Sequence, residues 1–197
     1  MTTLLVGLGN PGPEYVRTRH NLGFLALDWL RERFDAPAFQ PEAKFFADLS
    51  SVMQEGNKFI LAKPTTFMNE SGRSVRAILN YYKLGIDTLI VIHDDLDIAP
   101  GALRTTDSSR AAGHNGVQDI IDTLGTQDFF RIRLGIGRPA EAEGVCPAET
   151  LREPGVSVRA GIPSHDYVLG HLSDEEYTKL EALFTEMEKV LRSRLAT

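Results

Sequence analysis

Thr3-Leu4-Leu5-Val6-Gly7-Leu8-Gly9-Asn10-Pro11-Gly12-Pro13 decides how this chain begins to fold. Thr3 to Leu8 is a short apolar run, and it breaks off into residues that favour turns. Such a run predicts a buried strand that enters a tight loop. Gly7-Leu8-Gly9-Asn10-Pro11-Gly12 also spells G-x-G-x-x-G after a strand, the pattern that cradles a dinucleotide. The rest of that pattern is missing. Pro11 stiffens the loop that should wrap a pyrophosphate, and no acid ends a second strand about 20 residues on. Asp28 and Glu32 fall on a predicted helix instead. A turn that needs glycine conformations explains the same residues.

Outward from this loop, strands and helices alternate. Asn21 is placed to cap a helix through Phe34, with Leu22, Leu25, Trp29 and Leu30 near helical spacing. Phe46–Met53 and Lys58–Lys63 flank Gln54-Glu55-Gly56-Asn57 and read as a hairpin, which Pro64 ends. A helix is expected from about Glu70 to Lys83, stopping at Gly85, and a buried strand over Thr88–His93. Gly116–Leu124 reads as a helix and Phe130–Ile136 as a strand. Residues 137–165 hold four prolines and read as a long surface excursion, with a short strand at Val156–Val158. The last element is one helix from Ser173 to Arg194, opened by the capping-box residues Ser173-Asp174-Glu175-Glu176. The expected fold is a single α/β domain over 1–197, a twisted mixed β-sheet flanked by helices.

Composition sets limits. The chain has 197 residues, of which 42% are hydrophobic and 24% charged, the balance of a soluble globular protein. The formal net charge is -6, which excludes a generally basic nucleic-acid coat. Cys146 is the one cysteine, so no intrachain disulfide forms and a reducing compartment is favoured. No stretch is apolar enough to span a bilayer.

Several polar residues fall at the ends of predicted elements. His20 follows the glycine loop, and its ordinary pKa suits proton transfer near neutrality; a surface or capping role is the alternative. His93-Asp94-Asp95-Leu96-Asp97 follows a buried strand, where open α/β folds gather their chemistry. Its carboxylates can orient a histidine, bind a divalent ion or cap a loop, although no metal-ligand spacing supports the ion. Asn69 and Asn115 stand at loop-to-helix junctions, where capping is the competing account. Ser71 lacks the G-x-S-x-G frame of a nucleophile elbow. Taken together, Asn10, His20, Asn69, Asp94 and Asn115 supply one base, one carboxylate to orient it and three amides, without a protein nucleophile. That set suits direct attack of water on an acyl carbon, with amides stabilising the oxyanion.

The residues carrying these features closely resemble the bacterial peptidyl-tRNA hydrolase family. The resemblance runs through Val6–Gly12, Tyr15 and Thr18–Phe24. It continues through Lys63–Asn69 with Ser71-Gly72, His93–Asp97, Gly113–Gly116 and Phe130–Pro139. It implies hydrolysis of the ester joining a peptide to the 3′-terminal ribose of tRNA, which recycles tRNA from aborted translation. His20 matches the general base and Asp94 the acid that holds its imidazole. Asn10 matches the residue that tells N-blocked peptidyl-tRNA from aminoacyl-tRNA. Tyr15, Phe67, Met68, Asn69, His114 and Asn115 match positions that contact substrate, and either Asn69 or Asn115 binds the oxyanion. No metal and no organic cofactor are implied. The implied partner is the acceptor stem and 3′ end of peptidyl-tRNA, with no membrane, and a cytoplasmic monomer is expected.

Two departures stand out. The usual glycine-rich loop before Gly113 reads Asp107-Ser108-Ser109-Arg110-Ala111-Ala112, and the excursion after Pro139 is longer than usual. A basic residue expected for a clamp on the tRNA 5′-phosphate is replaced by Thr106. Arg133 matches the other half of that clamp, and Arg104 or Arg110 is available to replace the lost charge. On an acidic protein, Arg104, Arg110, Arg131, Arg133 and Arg138 are therefore expected to form a local basic strip at the site.

Overall fold

Strand β1 (Thr2–Gly7) lies at the centre of a seven-stranded sheet. A computed structural model describes residues 1–138 and 163–195 of the chain. The strands after β1 are β2 (Gln40–Glu42), β3 (Ala47–Gln54), β4 (Asn57–Pro64), β5 (Leu89–Asp95), β6 (Leu103–Thr106) and β7 (Phe130–Gly135). Their order across the sheet is β2-β3-β4-β1-β5-β7-β6. The inner strands β4, β1, β5 and β7 are parallel, and the outer pairs β2–β3, β3–β4 and β6–β7 are antiparallel. The expected twisted mixed sheet flanked by helices is the fold observed.

Alternation along the central strands builds two cores. Leu4, Val6, Leu89 and Val91 face one layer, and Leu5, Ile90 and Ile92 face the other. Helix α1 (Leu22–Arg33) and helix α6 (Leu180–Leu195) cover the second face, with Leu27 and Leu30 packed beside Leu183 and Phe184. Helices α2 (Ser71–Tyr82) and α3 (Asn115–Leu124) cover the first, through Val75, Ile78, Val117 and Ile120. Burial on both faces is what a continuous apolar run such as Leu4–Leu8 requires.

The hairpin forms as the sequence suggests. Gln54 pairs with Asn57, and Glu55 and Gly56 take positive φ values of 51° and 81°. Two positive φ values at the centre give the turn whose twist matches the strands. Other boundaries differ from expectation. Helix α2 ends at Tyr82, one residue before the expected Lys83, and its stop is Lys83 itself, which takes φ 54°, rather than Gly85. The single C-terminal helix is two, α5 (Asp174–Thr178) and α6, with a turn at Lys179. The capping box at Ser173 and Glu176 is present and opens α5. Strands β2 and β6 were not expected. Each is a short edge strand, and Pro41 in β2 is tolerated because an edge needs only one hydrogen-bonded side. A further short helix, α4 (Ser164–Val168), follows Pro163. The central part of the expected excursion, the strand at Val156–Val158 and Cys146 lie outside the described residues.

Candidate active site

The C-terminal ends of β1, β4 and β5 open onto a common rim, where open α/β sheets bind ligands. The loop after β1 reaches Asn10 and a short 3-10 turn at Arg19–Asn21, which delivers His20. After β4 the chain makes a second such turn at Met68–Glu70. Strand β5 ends in Asp94 and Asp95, and the loop before α3 carries His114. A cleft of about 680 Å³ results, lined among others by Asn10, Tyr15, His20, Phe67, Met68, Asn69, Asp94, His114 and Asn115. Those nine are expected site residues. Arg104 and Arg133, also expected, do not line it; they face each other across the β6–β7 ladder.

Asp94 is the hub. It is 2% exposed, and its Oδ1 accepts both the Nδ1–H of His20 at 2.9 Å and the Nε2–H of His114 at 3.0 Å. The tautomer of His114 follows from its other nitrogen. Its Nδ1 accepts the backbone N–H of Val117 at 3.3 Å, as the cap of α3, so the ring proton sits on Nε2. The tautomer of His20 follows from the carboxylate, which only accepts, so Nδ1 carries the proton. Its Nε2 then has no protein partner among the described residues.

Electrostatics agree with this assignment. Burial alone would raise the Asp94 carboxyl, but the neighbouring His20 and His114 outweigh it and hold it well below the usual carboxylate range. Burial alone would lower His20, but the charge and hydrogen bond of Asp94 outweigh it and raise it above its ordinary value. His93 is fully buried and lowered well below its ordinary value by that burial and by His114, so it stays neutral. Its Nδ1–H donates to the Asp94 carbonyl at 2.7 Å and its ring meets His114 edge-on at 4.7 Å. The three acids of the motif have separate roles. Asp94 orients histidines. Asp95 accepts the N–H of Asp97 and the Nε–H of Arg133. Asp97 pairs with Arg138 at 2.6 Å.

The asparagines divide in the same way. Asn10 is 8% exposed, and its Oδ1 accepts the backbone N–H of Met68 at 2.8 Å, which ties the β1 loop to the β4 loop. Its Nδ2 is the end left over. Neither Asn69 nor Asn115 caps its helix: no side-chain cap bond is made at the Met68–Glu70 turn, and His114 caps α3. Among the described residues the side-chain amides of Asn69 and Asn115 have no partner, so both remain available at the cleft. Phe67 is 58% exposed there, an unusual position for a large apolar ring.

Sequence reasoning missed two supports. Asn21, expected as a helix cap, makes no cap bond; its amide instead holds the backbone of Asn10. Arg19 forks onto Glu176 at 2.9 and 2.8 Å and so ties the His20 turn to α5. The segment Ser164–Leu169 also lines the cleft. Its signal was Pro163 before a short helix and Gly170 after it. The expected basic strip is not there as such. Arg131 is 1% exposed and donates to the carbonyls of Ser109 and Arg110, while Arg133 and Arg138 sit on carboxylates.

The first loop lacks the helix that a dinucleotide site needs at its end: a 3-10 turn follows at Pro13–Tyr15 and α1 starts only at Leu22. A Cβ at Gly7 would lie 2.3 Å from the carbonyl oxygen of Gly23, and one at Gly23 would lie 2.4 Å from that of Ile92. Gly7 thus admits α1 against the sheet, and only Gly12 of that loop takes a positive φ. As for a metal, the ligand atoms of His20, Asp94 and His114 lie within 4.8 Å of one another. An ion there would have to displace both protons that those histidines donate to Asp94.

Comparison with known proteins adds the family. The family model for peptidyl-tRNA hydrolase matches residues 4–148. The chain is similar to a crystal structure of peptidyl-tRNA hydrolase from Acinetobacter baumannii, at 29% identity and a TM-score of 0.79, covering 99% of this chain and 91% of that one. It is similar to a point mutant of the enzyme from the same organism at 32% identity, with a TM-score of 0.77 over 93% of this chain and 83% of that one. A peptidyl-tRNA hydrolase in complex with n-propanol matches at 31% identity, with the same TM-score and coverage. A family model that spans most of the chain, meeting a cleft built from the same motifs, makes this chain a member of the peptidyl-tRNA hydrolase family, the enzymes that hydrolyse peptidyl-tRNA.

Proposed function

We propose that this peptidyl-tRNA hydrolase cleaves the ester between the peptide and the 3′-terminal ribose by direct attack of water, with His20 as the general base. The observation that carries this reading is the His20–Asp94 hydrogen bond of 2.9 Å, which fixes the proton on Nδ1 and leaves Nε2 a free acceptor. Nε2 takes the proton of the attacking water as its oxygen bonds to the ester carbon. The imidazolium so formed lies against ionised Asp94, which lowers the cost of that step. The tetrahedral oxyanion is met by an amide N–H of Asn69 or Asn115. Collapse breaks the bond to the ribose oxygen, which takes the proton back from His20. Neither a metal nor an organic cofactor enters these steps.

The remaining amide end of Asn10 supports selection for N-blocked substrates. A donor there matches the carbonyl oxygen of an acylated amino group. A free α-ammonium has no acceptor to offer, so aminoacyl-tRNA leaves the donor unpaired. Tyr15, Phe67, Met68 and His114 complete the walls. Both ring nitrogens of His114 are already committed, so it touches substrate through its ring alone. Arg104 and Arg133 stand together on the β6–β7 edge as contacts for the acceptor stem. The protein acts as a monomer in the cytoplasm and recycles tRNA from aborted translation. No helix of the described residues is long and apolar enough to cross a membrane.

The test is release of N-acetylaminoacyl groups from tRNA in the presence of a chelator, with wild type and His20→Ala side by side. Cleavage by the wild type and its near-complete loss in the variant, with an unchanged unfolding midpoint, are expected. Near-wild-type turnover by His20→Ala would overturn the mechanism.

A further inference from the structure

Most cations among the described residues rest on a carboxylate, as Arg19 does on Glu176 and Arg133 on Asp95. Lys58, Arg73, Arg76, Lys83, Arg104 and Arg110 are solvent-accessible and have no carboxylate partner among the described residues. Arg73 and Arg76 lie on α2, Lys83 is its C-terminal cap, and Lys58 at the start of β4 reaches Tyr82 at the same end of that helix. Aromatic rings stand beside two of them, Tyr82 by Lys58 and Phe46 by Arg73. Tyr81 is 58% exposed and meets Tyr82 edge-on at 5.0 Å. The ammonium of Lys44 stands 4.5 Å from the Tyr81 ring, that of Lys58 is 5.7 Å from the Tyr82 ring, and the guanidinium of Arg73 is 3.6 Å from the Phe46 ring. The acids beside this strip are Glu42, 3.8 Å from Lys44, exposed Glu70 and Asp87, and Asp119, whose carboxylate accepts the Gly72 N–H at 2.7 Å.

The strip is continuous with the cleft. Helix α2 starts at Ser71, directly after the turn that carries Asn69, and Arg73 lies in its first turn. From Arg73 to Lys83 the helix runs about 15 Å away from the cleft at the usual rise per residue. On a protein of net charge -6, free cations beside aromatic rings are a local inversion of charge. Unpaired cations release counterions when they meet phosphates, whereas cations already paired with carboxylates first have to give up a partner. Exposed rings beside them suit contact with ribose and base faces.

We infer that this strip is a second RNA-binding surface, which takes the sugar-phosphate backbone of the tRNA body beyond the 3′ end held in the cleft. This rests on the peptidyl-tRNA reading of the cleft. It also gives the tRNA a basic contact at a place other than the β6–β7 edge, where Thr106 stands in place of a base and Arg133 is held by Asp95.

The test is binding, which needs no turnover. Fluorescence anisotropy compares deacylated full-length tRNA with a short oligonucleotide ending in CCA, across a salt series. The variant Arg73→Gln/Arg76→Gln/Lys83→Gln changes only exposed side chains and leaves the cleft intact. Tenfold or greater weakening for full-length tRNA is expected, with the salt slope shallower by about two and the oligonucleotide unaffected. Tyr81→Ala should weaken full-length tRNA in the same selective way. Unchanged affinity and slope for full-length tRNA would overturn the inference, and so would equal weakening of both ligands. Cleavage of N-acetylaminoacyl-tRNA by the wild type reports separately on the assignment of the reaction.

Discussion

Asn21 holds the backbone of Asn10 from both sides: the Asn10 N–H donates to its Oδ1 at 2.9 Å, and its Nδ2 donates to the Asn10 carbonyl at 3.0 Å. Both residues are buried. The clamp sets the residue that in turn anchors Met68, so Asn21 acts on the site through Asn10. Asn21→Leu keeps the shape and strands two backbone groups. A loss of about 1–3 kcal/mol in stability is expected for such orphaned groups, read from a denaturant titration. A fall in kcat/KM of more than tenfold should accompany it. Unchanged values would mean that Asn10 is held well enough by Met68 alone.

Asp94→Asn tests the proton site. In the wild type, burial lowers the His20 pKa and the charge and hydrogen bond of Asp94 more than restore it. The substitution removes the charge and keeps the burial, so the His20 pKa should drop below its ordinary 6.5. The acid limb of the kcat/KM profile should therefore move to lower pH, while the plateau falls a hundredfold or more because the imidazolium loses its counter-charge. A lower plateau with an unmoved limb would mean that another group sets the pH dependence.

His114→Ala should move the same limb the other way. Its Nε2–H shares the Asp94 oxygen with His20. Without that donor the carboxylate acts on His20 alone and holds its proton more tightly, so the limb should rise in pH. Loss of the α3 cap should also cost about 1 kcal/mol. The opposing shifts in the two variants are the diagnostic readout, since simple damage to the cleft would lower the rate without moving the limb in opposite directions.

The pair also predicts how stability depends on pH. A histidine raised in the folded state stabilises it below its unfolded pKa, and that contribution is lost as pH rises through the folded value. Asp94 is held low, so its own contribution stays constant across the range where His20 titrates. In Asp94→Asn the sign for His20 reverses, and the fold weakens as pH falls below about 6.5. The stability gap between wild type and variant should widen from about pH 8 down to about pH 5.5. A constant gap would contradict the raised His20 pKa.

Much of this was legible in the chain because local chemistry decided it. The short apolar run Leu4–Leu8, broken off by turn residues, reads as a buried strand, and Gln54–Asn57 carries the turn chemistry of a hairpin. His20, Asp94 and the asparagines stood at element ends, where open sheets place their sites. What stayed hidden depends on contacts distant in sequence. Asn21 looked like a helix cap because its partner, Asn10, lies 11 residues back. Arg131 looked like a surface cation on an alternating strand, yet it is buried against the Ser109–Arg110 backbone. The edge strands β2 and β6 are too short to show a period of two.

The glycines of the opening motif provide the last test, because two accounts of them differ in outcome. If Gly7 served a ligand, Gly7→Ala would impair binding and leave the fold intact. The observed spacing argues otherwise: the new Cβ would lie 2.3 Å from the Gly23 carbonyl oxygen and 2.8 Å from Leu27 Cγ. The first of these is rigid backbone, so helix α1 must shift away from β1. The α1 helix follows directly on the turn that carries His20 and Asn21, and it buries Leu27 and Leu30. Gly7→Ala should therefore lower the unfolding midpoint, with a cost of about 1–3 kcal/mol typical of overpacking, and it should lower kcat in the same variant. Full stability with a raised KM would return the motif to a ligand-binding role.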